Sequence, residues 1–106
     1  MSLEQFQDLP LLDKQLYDLV DESINMLVPW YFITSYAYYN DDDPIVSDAA
    51  YDWLTKNLLE QYDVVEHRHK EFIDKDALIA GSFLGKYPTQ VEGAVKELRN
   101  VLKKVK

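Results

Sequence analysis

The chain has 106 residues, enough for one domain with a modest core, and it is 47% hydrophobic, above what a disordered chain carries. It contains no cysteine, which excludes a disulfide scaffold, a thiolate nucleophile and every cysteine-ligated zinc or iron–sulfur site. Nineteen acids against eleven bases give a net charge of −8, and no apolar run approaches the ~18 residues that cross a membrane, so a soluble cytoplasmic protein is the expectation.

The first periodic stretch runs from Pro10 to about Val28. Leu12, Leu16, Leu19, Val20, Ile24 and Leu27 recur at three- and four-residue steps with charged residues between them. Asp8 stands where it would cap this helix, and Pro10 suits its first turn. Pro29 is expected to break or kink it, and Trp30-Tyr31-Phe32-Ile33 opens a second, strongly aromatic helix over Pro29–Tyr39, reaching about Asn40. The run Asp41-Asp42-Asp43-Pro44 cannot continue a helix, because bunched carboxylates and a proline oppose it. Ser47 reads as an N-cap with Asp48 in the first turn, where the helix dipole favours negative charge. The third helix then carries Tyr51, Leu54, Leu58 and Leu59 on one side and ends near Tyr62. Between Asp63 and Lys86, Phe72, Ile73, Leu78, Ile79, Phe83 and Leu84 predict one or two short helices broken near Gly81 and Gly85. Thr89-Gln90-Val91-Glu92 has the form of a capping box, and Val91, Val95, Leu98 and Leu102 give a last helix, to about Lys104, its apolar stripe. No β-alternation of useful length occurs. The predicted fold is all-α, one domain over residues 1–106, with a helix–acidic turn–helix core at about 11–62 and a helical extension at about 63–106.

Charge is unevenly placed along this fold. Met1 to Asp63 holds thirteen acids and two bases (Lys14 and Lys56), net −11; Val64 to Lys106 holds six acids and nine bases, net +3. Direct DNA binding by the N-terminal half is excluded, because DNA affinity comes largely from lysines and arginines that release counterions. The basic run Lys96, Arg99, Lys103, Lys104 and Lys106 reads as the solvated face of the last helix, with weak nucleic-acid contact as the alternative. No glycine-rich phosphate loop, G-x-S-x-G or H-E-x-x-H is present. His67 and His69, two apart, would lie on different faces of a helix and so read as surface histidines without a shared metal. Asp41-Asp42-Asp43 lacks the glycine and distal glutamate of a calcium loop and reads as a solvated turn; no metal is expected.

One stretch rises above this background. From Tyr36 to Leu54 the chain reads YAYYNDDDPIVSDAAYDWL, and Tyr36, Tyr38, Tyr39, Asp42, Pro44, Val46, Ser47, Asp48, Tyr51, Asp52 and Leu54 fall on a fixed spacing. This resembles the N-terminal Ia domain of NAD-dependent, bacterial-type DNA ligases, which carries the pattern Y-x-Y-[YH]-x-x-D-x-P-x-[IV]-[SP]-D-x-x-Y-D-x-L between two helices. The resemblance implies recognition of the nicotinamide mononucleotide (NMN) half of NAD. By position it assigns Tyr38, Tyr39, Asp48, Tyr51 and Asp52 to that ligand. The residue types suit such chemistry. Oxidised nicotinamide is a flat cation, which tyrosine faces attract, while carboxylates complement its charge and accept hydrogen bonds from its amide and ribose. Asp48 and Asp52, four apart, share a helix face. The competing reading is that Asp48 only supports the helix start and the tyrosines only pack.

The chain departs from that family in having no K-x-D-G adenylation lysine, oligonucleotide-binding domain or zinc ligands, and in Pro29, which would interrupt a first helix the family keeps continuous. Pro88-Thr89-Gln90 is similar to part of the S-P-T-Q that follows Ia in ligases, but stands further downstream. The expectation is therefore a stand-alone, non-catalytic module that binds NMN or NAD, or a nucleotidyltransferase partner, in the setting of DNA replication in a bacterium or bacteriophage. The alternative is an acidic interaction protein, a DNA mimic that inhibits a basic partner and keeps the fold without the ligand.

Overall fold

The computed structural model describes residues 12–81, 83 and 87–105, with side chains as far as Asn100. Every regular element among the described residues is helical, and none is a strand. Asp8, Pro10, Leu84, Gly85 and the side chain of Leu102 lie outside the described residues.

Helix α1 (Asp13–Glu22) buries Leu16 and Val20, one turn apart, and holds Asp13 in its first turn. It does not continue to Val28. Ser23 takes extended backbone (φ −155°, ψ 118°), its N–H closing α1 on the Leu19 carbonyl and its own carbonyl accepting from Met26 to start a 3-10 turn over Ile24–Met26. Asn25 Oδ1 in that turn accepts from the Glu66 N–H at 2.8 Å, which pins the junction to a distant loop. Ile24, expected on the apolar stripe, is consequently exposed. Pro29 is not the breaker. It lies in the first turn of α2 (Leu27–Ser35), where the N–H it lacks would have no intrahelical acceptor and its fixed φ is already helical.

Leu27, Val28, Trp30, Tyr31, Phe32, Thr34 and Ser35 are all buried, so α2 is covered around its whole circumference and forms the centre of the molecule. The Thr34 hydroxyl is satisfied by the Trp30 carbonyl at 2.6 Å. From Tyr36 to Asn40 the helix widens into a π-turn, the Asp41 N–H reaching the Tyr36 carbonyl five residues back at 3.1 Å, in place of the regular helix expected there. The acidic turn follows, with Asp42 at φ +53°, a left-handed conformation that aspartate tolerates better than most residues.

Ser47 caps α3 (Asp48–Gln61) as its sequence predicts, its Oγ accepting from the Ala50 N–H at 3.1 Å. The cap is itself held. Asp13 accepts from the Ser47 N–H at 2.8 Å and from its hydroxyl at 2.6 Å, and the Leu12 N–H donates to the Ile45 carbonyl at 2.8 Å. The starts of α1 and α3 are thus joined. Beyond α3, a 3-10 turn (Lys70–Phe72) precedes α4 (Lys75–Ile79), which Asp74 caps through the Asp76 and Ala77 N–H groups. Gly81 then turns the chain at φ +71°, a conformation natural to glycine. Helix α5 (Gln90–Val105) lays Val91 and Val95 against α2. Its start is closed by the backbone, Val91 N–H to the Pro88 carbonyl at 3.1 Å, while the Thr89 hydroxyl donates to Gln90 Oε1 rather than forming a capping box.

Candidate functional site

Tyrosines at the junction of α2 and α3 form one aromatic surface. Tyr51, on α3, is buried to 8% exposure, and its hydroxyl lies 2.7 Å from the buried Ser35 Oγ at the end of α2. Tyr38 and Tyr39, on the π-turn, remain 39% and 47% exposed. The Tyr38 ring lies nearly parallel to Tyr51, 13° between planes and 6.0 Å between centroids. Tyr39 meets Tyr38 at 4.9 Å and Tyr51 at 6.4 Å, edge to face. The buried Tyr51 is therefore a back wall for two rings that stay partly exposed. The π-turn makes this possible, since its extra residue per turn sets consecutive side chains outward while Ala37 stays buried. The aromatic surface continues through Tyr36, 5.0 Å from Tyr87, which stacks on Phe83 at 4.2 Å and 10°.

Burial raises the pKa of several of these phenols. Tyr51 is pushed above the ordinary tyrosine range by desolvation, which outweighs its hydrogen bond to Ser35. Tyr87 is pushed up to about 12, mainly by burial, and Tyr39 is raised for the same reason. Neutral phenols present π-faces and hydroxyls without competing charge, which suits stacking against a flat cation or a neutral ring.

Of the five residues singled out from sequence, the structure brings together Tyr38, Tyr39 and Tyr51. Asp48 and Asp52 stand on the exposed face of α3, beside the strip that carries Tyr51 inward. Asp52 forms an exposed ion pair with Lys56 at 2.8 Å. Asp48 occupies the first turn of α3 and has no ion pair among the described residues.

Three residues of this region carry weight that local spacing did not reveal. Ser35 anchors Tyr51, and Asp13 anchors the Ser47 cap. Arg99, from α5, grips the acidic turn: its guanidinium donates to Asp43 Oδ2 at 2.9 Å, Asp41 Oδ2 at 3.1 Å and the Asp43 carbonyl at 2.7 Å. The turn is therefore not simply solvated, and Arg99 is not part of a free basic face. The partners lie 56 and 58 positions apart, beyond any local pattern. The histidines also differ from expectation. His67 and His69 stand on an irregular turn rather than a helix, with centroids 5.2 Å apart and His67 Nδ1 accepting from the His69 N–H at 3.1 Å. Among the described residues no three His, Asp or Glu side chains gather as a metal set. No helix among them is long and apolar enough to cross a membrane.

The chain matches no protein-family model, no curated protein and no solved structure. Its functional reading therefore stands on the residues and their geometry.

Proposed function

We propose that the chain is a non-catalytic, cytoplasmic module related to the ligase Ia domain, and that the Tyr38–Tyr39–Tyr51 surface receives the nicotinamide ring of NMN or NAD. The observation that carries this reading is the convergence of three tyrosines from the motif, two exposed and one buried, the buried ring parallel to Tyr38 and edge to face with Tyr39. A pyridinium cation laid on Tyr38 or Tyr39 gains about 0.5–2 kcal/mol per face. Asp48, at the start of α3 and without an ion pair among the described residues, would supply negative charge, and Asp52 would join it by exchanging Lys56 for the ligand. With no adenylation lysine in the chain, reaction at the adenylate belongs to a partner nucleotidyltransferase, and this module holds the leaving group. The acidic-inhibitor alternative draws on Asp41–Asp43, and Arg99 already occupies two of those three carboxylates, which favours the nucleotide reading.

The test is an NMR titration of the labelled chain with NMN. A lone half-site buries little ligand surface, so binding is expected in the range of about 0.5 to 5 mM. Amide shifts should cluster at Tyr38, Tyr39, Asp48 and Tyr51, and Tyr38→Ala and Asp52→Ala should each weaken binding about three- to tenfold. An absence of shifts at about 10 mM NMN overturns the reading.

A further inference from the structure

A second concavity lies on a different part of the molecule, between α2, the His67–His69 turn and the first turn of α5, with a volume of about 210 Å³. Phe32, Ile33 and Val91 form its apolar floor, and His67, Arg68 and Gln90 stand at its rim. In a chain with nineteen acids, no carboxylate is among the described residues lining it. The chain has two arginines, and they are placed in opposite ways. Arg99 is spent on Asp41 and Asp43, whereas Arg68 is exposed and has no carboxylate partner among the described residues. The neighbouring Lys70 and Lys75 lie over the Tyr62 ring.

The rim is arranged to donate. His67 Nδ1 accepts the His69 N–H at 3.1 Å, so the neutral imidazole carries its proton on Nε2 and is a donor there. Burial, with His69 and Arg68 close by, lowers the His67 pKa and keeps that neutral form at pH 7. Arg68 is the one arginine or lysine among the described residues lining the pocket, beside an imidazole N–H and the Gln90 amide. One guanidinium matches a single carboxylate in a two-point contact. The apolar floor and the small volume suit a body of about ten heavy atoms or fewer rather than a nucleotide.

We propose that this pocket binds a small carboxylate with an apolar body, such as an aromatic acid, its carboxylate on Arg68 and the His67 Nε2–H and its body against Phe32, Ile33 and Val91. The site is independent of the tyrosine surface.

Benzoate is the probe, with benzyl alcohol as its uncharged counterpart and inorganic phosphate as an anion without an apolar body. Each is titrated into the labelled full chain and followed by NMR. Benzoate should shift the amides of residues 67–69 and 90–94 with a millimolar dissociation constant, and benzyl alcohol and phosphate should bind at least about tenfold more weakly. Arg68→Gln, at an exposed position, should weaken benzoate about tenfold and leave the circular dichroism spectrum unchanged. Ala94 also lines the pocket, and Ala94→Met, which fills it, should abolish the shifts. Three results each overturn the proposal: no shifts at about 20 mM benzoate, equal binding of either control, or undiminished binding by Arg68→Gln.

Discussion

Tyr51 is both a core side chain and the back wall of the tyrosine surface. Its ring is packed at 8% exposure and its hydroxyl is paired with Ser35 Oγ where neither reaches water. Tyr51→Phe keeps the ring but strands the Ser35 hydroxyl, so it should destabilise the fold by about 1–2 kcal/mol in denaturant unfolding. Adding Ser35→Ala to it should recover part of that loss, because the unpaired group is then gone. The phenols also fix how stability depends on alkaline pH. Tyr31, Tyr51 and Tyr87 all ionise less readily in the fold than in the unfolded chain, chiefly because they are buried, and Tyr87 is held up to about 12. Each contributes stability that is complete below the unfolded tyrosine range near 10 and is lost as pH rises towards the folded value. Unfolding free energy should therefore be flat from about pH 8 to 9 and fall steadily from about pH 10 to 12, as measured by urea denaturation at each pH.

At the scale of elements, the parts visible in the sequence are those set by neighbours three or four residues away. Ser47 with Asp48, the apolar side of α3 and the Val91–Val95 stripe of α5 all belong to this kind, and all are found where spacing places them. The parts not visible depend on residues far apart in the chain. The end of α1 at Ser23 is held by Asn25 bonding to Glu66, and the acidic turn is held by Arg99. The motif tyrosines were legible as a spacing, but their convergence needed the π-turn, which no periodicity announces. Two predictions separate these accounts. Pro29→Ala should change stability by less than about 1 kcal/mol and leave helix content unaltered, because Pro29 sits in a first turn and breaks nothing. Arg99→Ala should cost about 1 kcal/mol, screened by salt, and speed amide exchange at Asp41–Asp43; a double-mutant cycle with Asp43→Asn isolates the pair.

At the scale of the whole molecule, a 42 × 25 × 25 Å helical body carries its negative charge on the α1–α3 half, while the basic half spends Arg99 holding that half's acidic turn. In the acidic half the two bases, Lys14 and Lys56, are paired with Asp18 and Asp52, which leaves that half little positive field for a phosphate backbone. A duplex oligonucleotide should show no retardation by the protein at about 150 mM salt in an electrophoretic assay. What remains distinctive is an aromatic surface on an acidic body, and the proposed nicotinamide site requires it to discriminate a cationic ring from a neutral one. The most direct measurement compares the affinity of oxidised NMN, whose ring is a pyridinium, with that of the reduced form, whose dihydropyridine ring is uncharged. Cation–π attraction on Tyr38 and Tyr39 predicts that the oxidised form binds at least about threefold more tightly, with the difference lost in Tyr38→Ala/Tyr39→Ala. Equal affinity of the two forms, or binding of neither, would contradict a nicotinamide site on this surface.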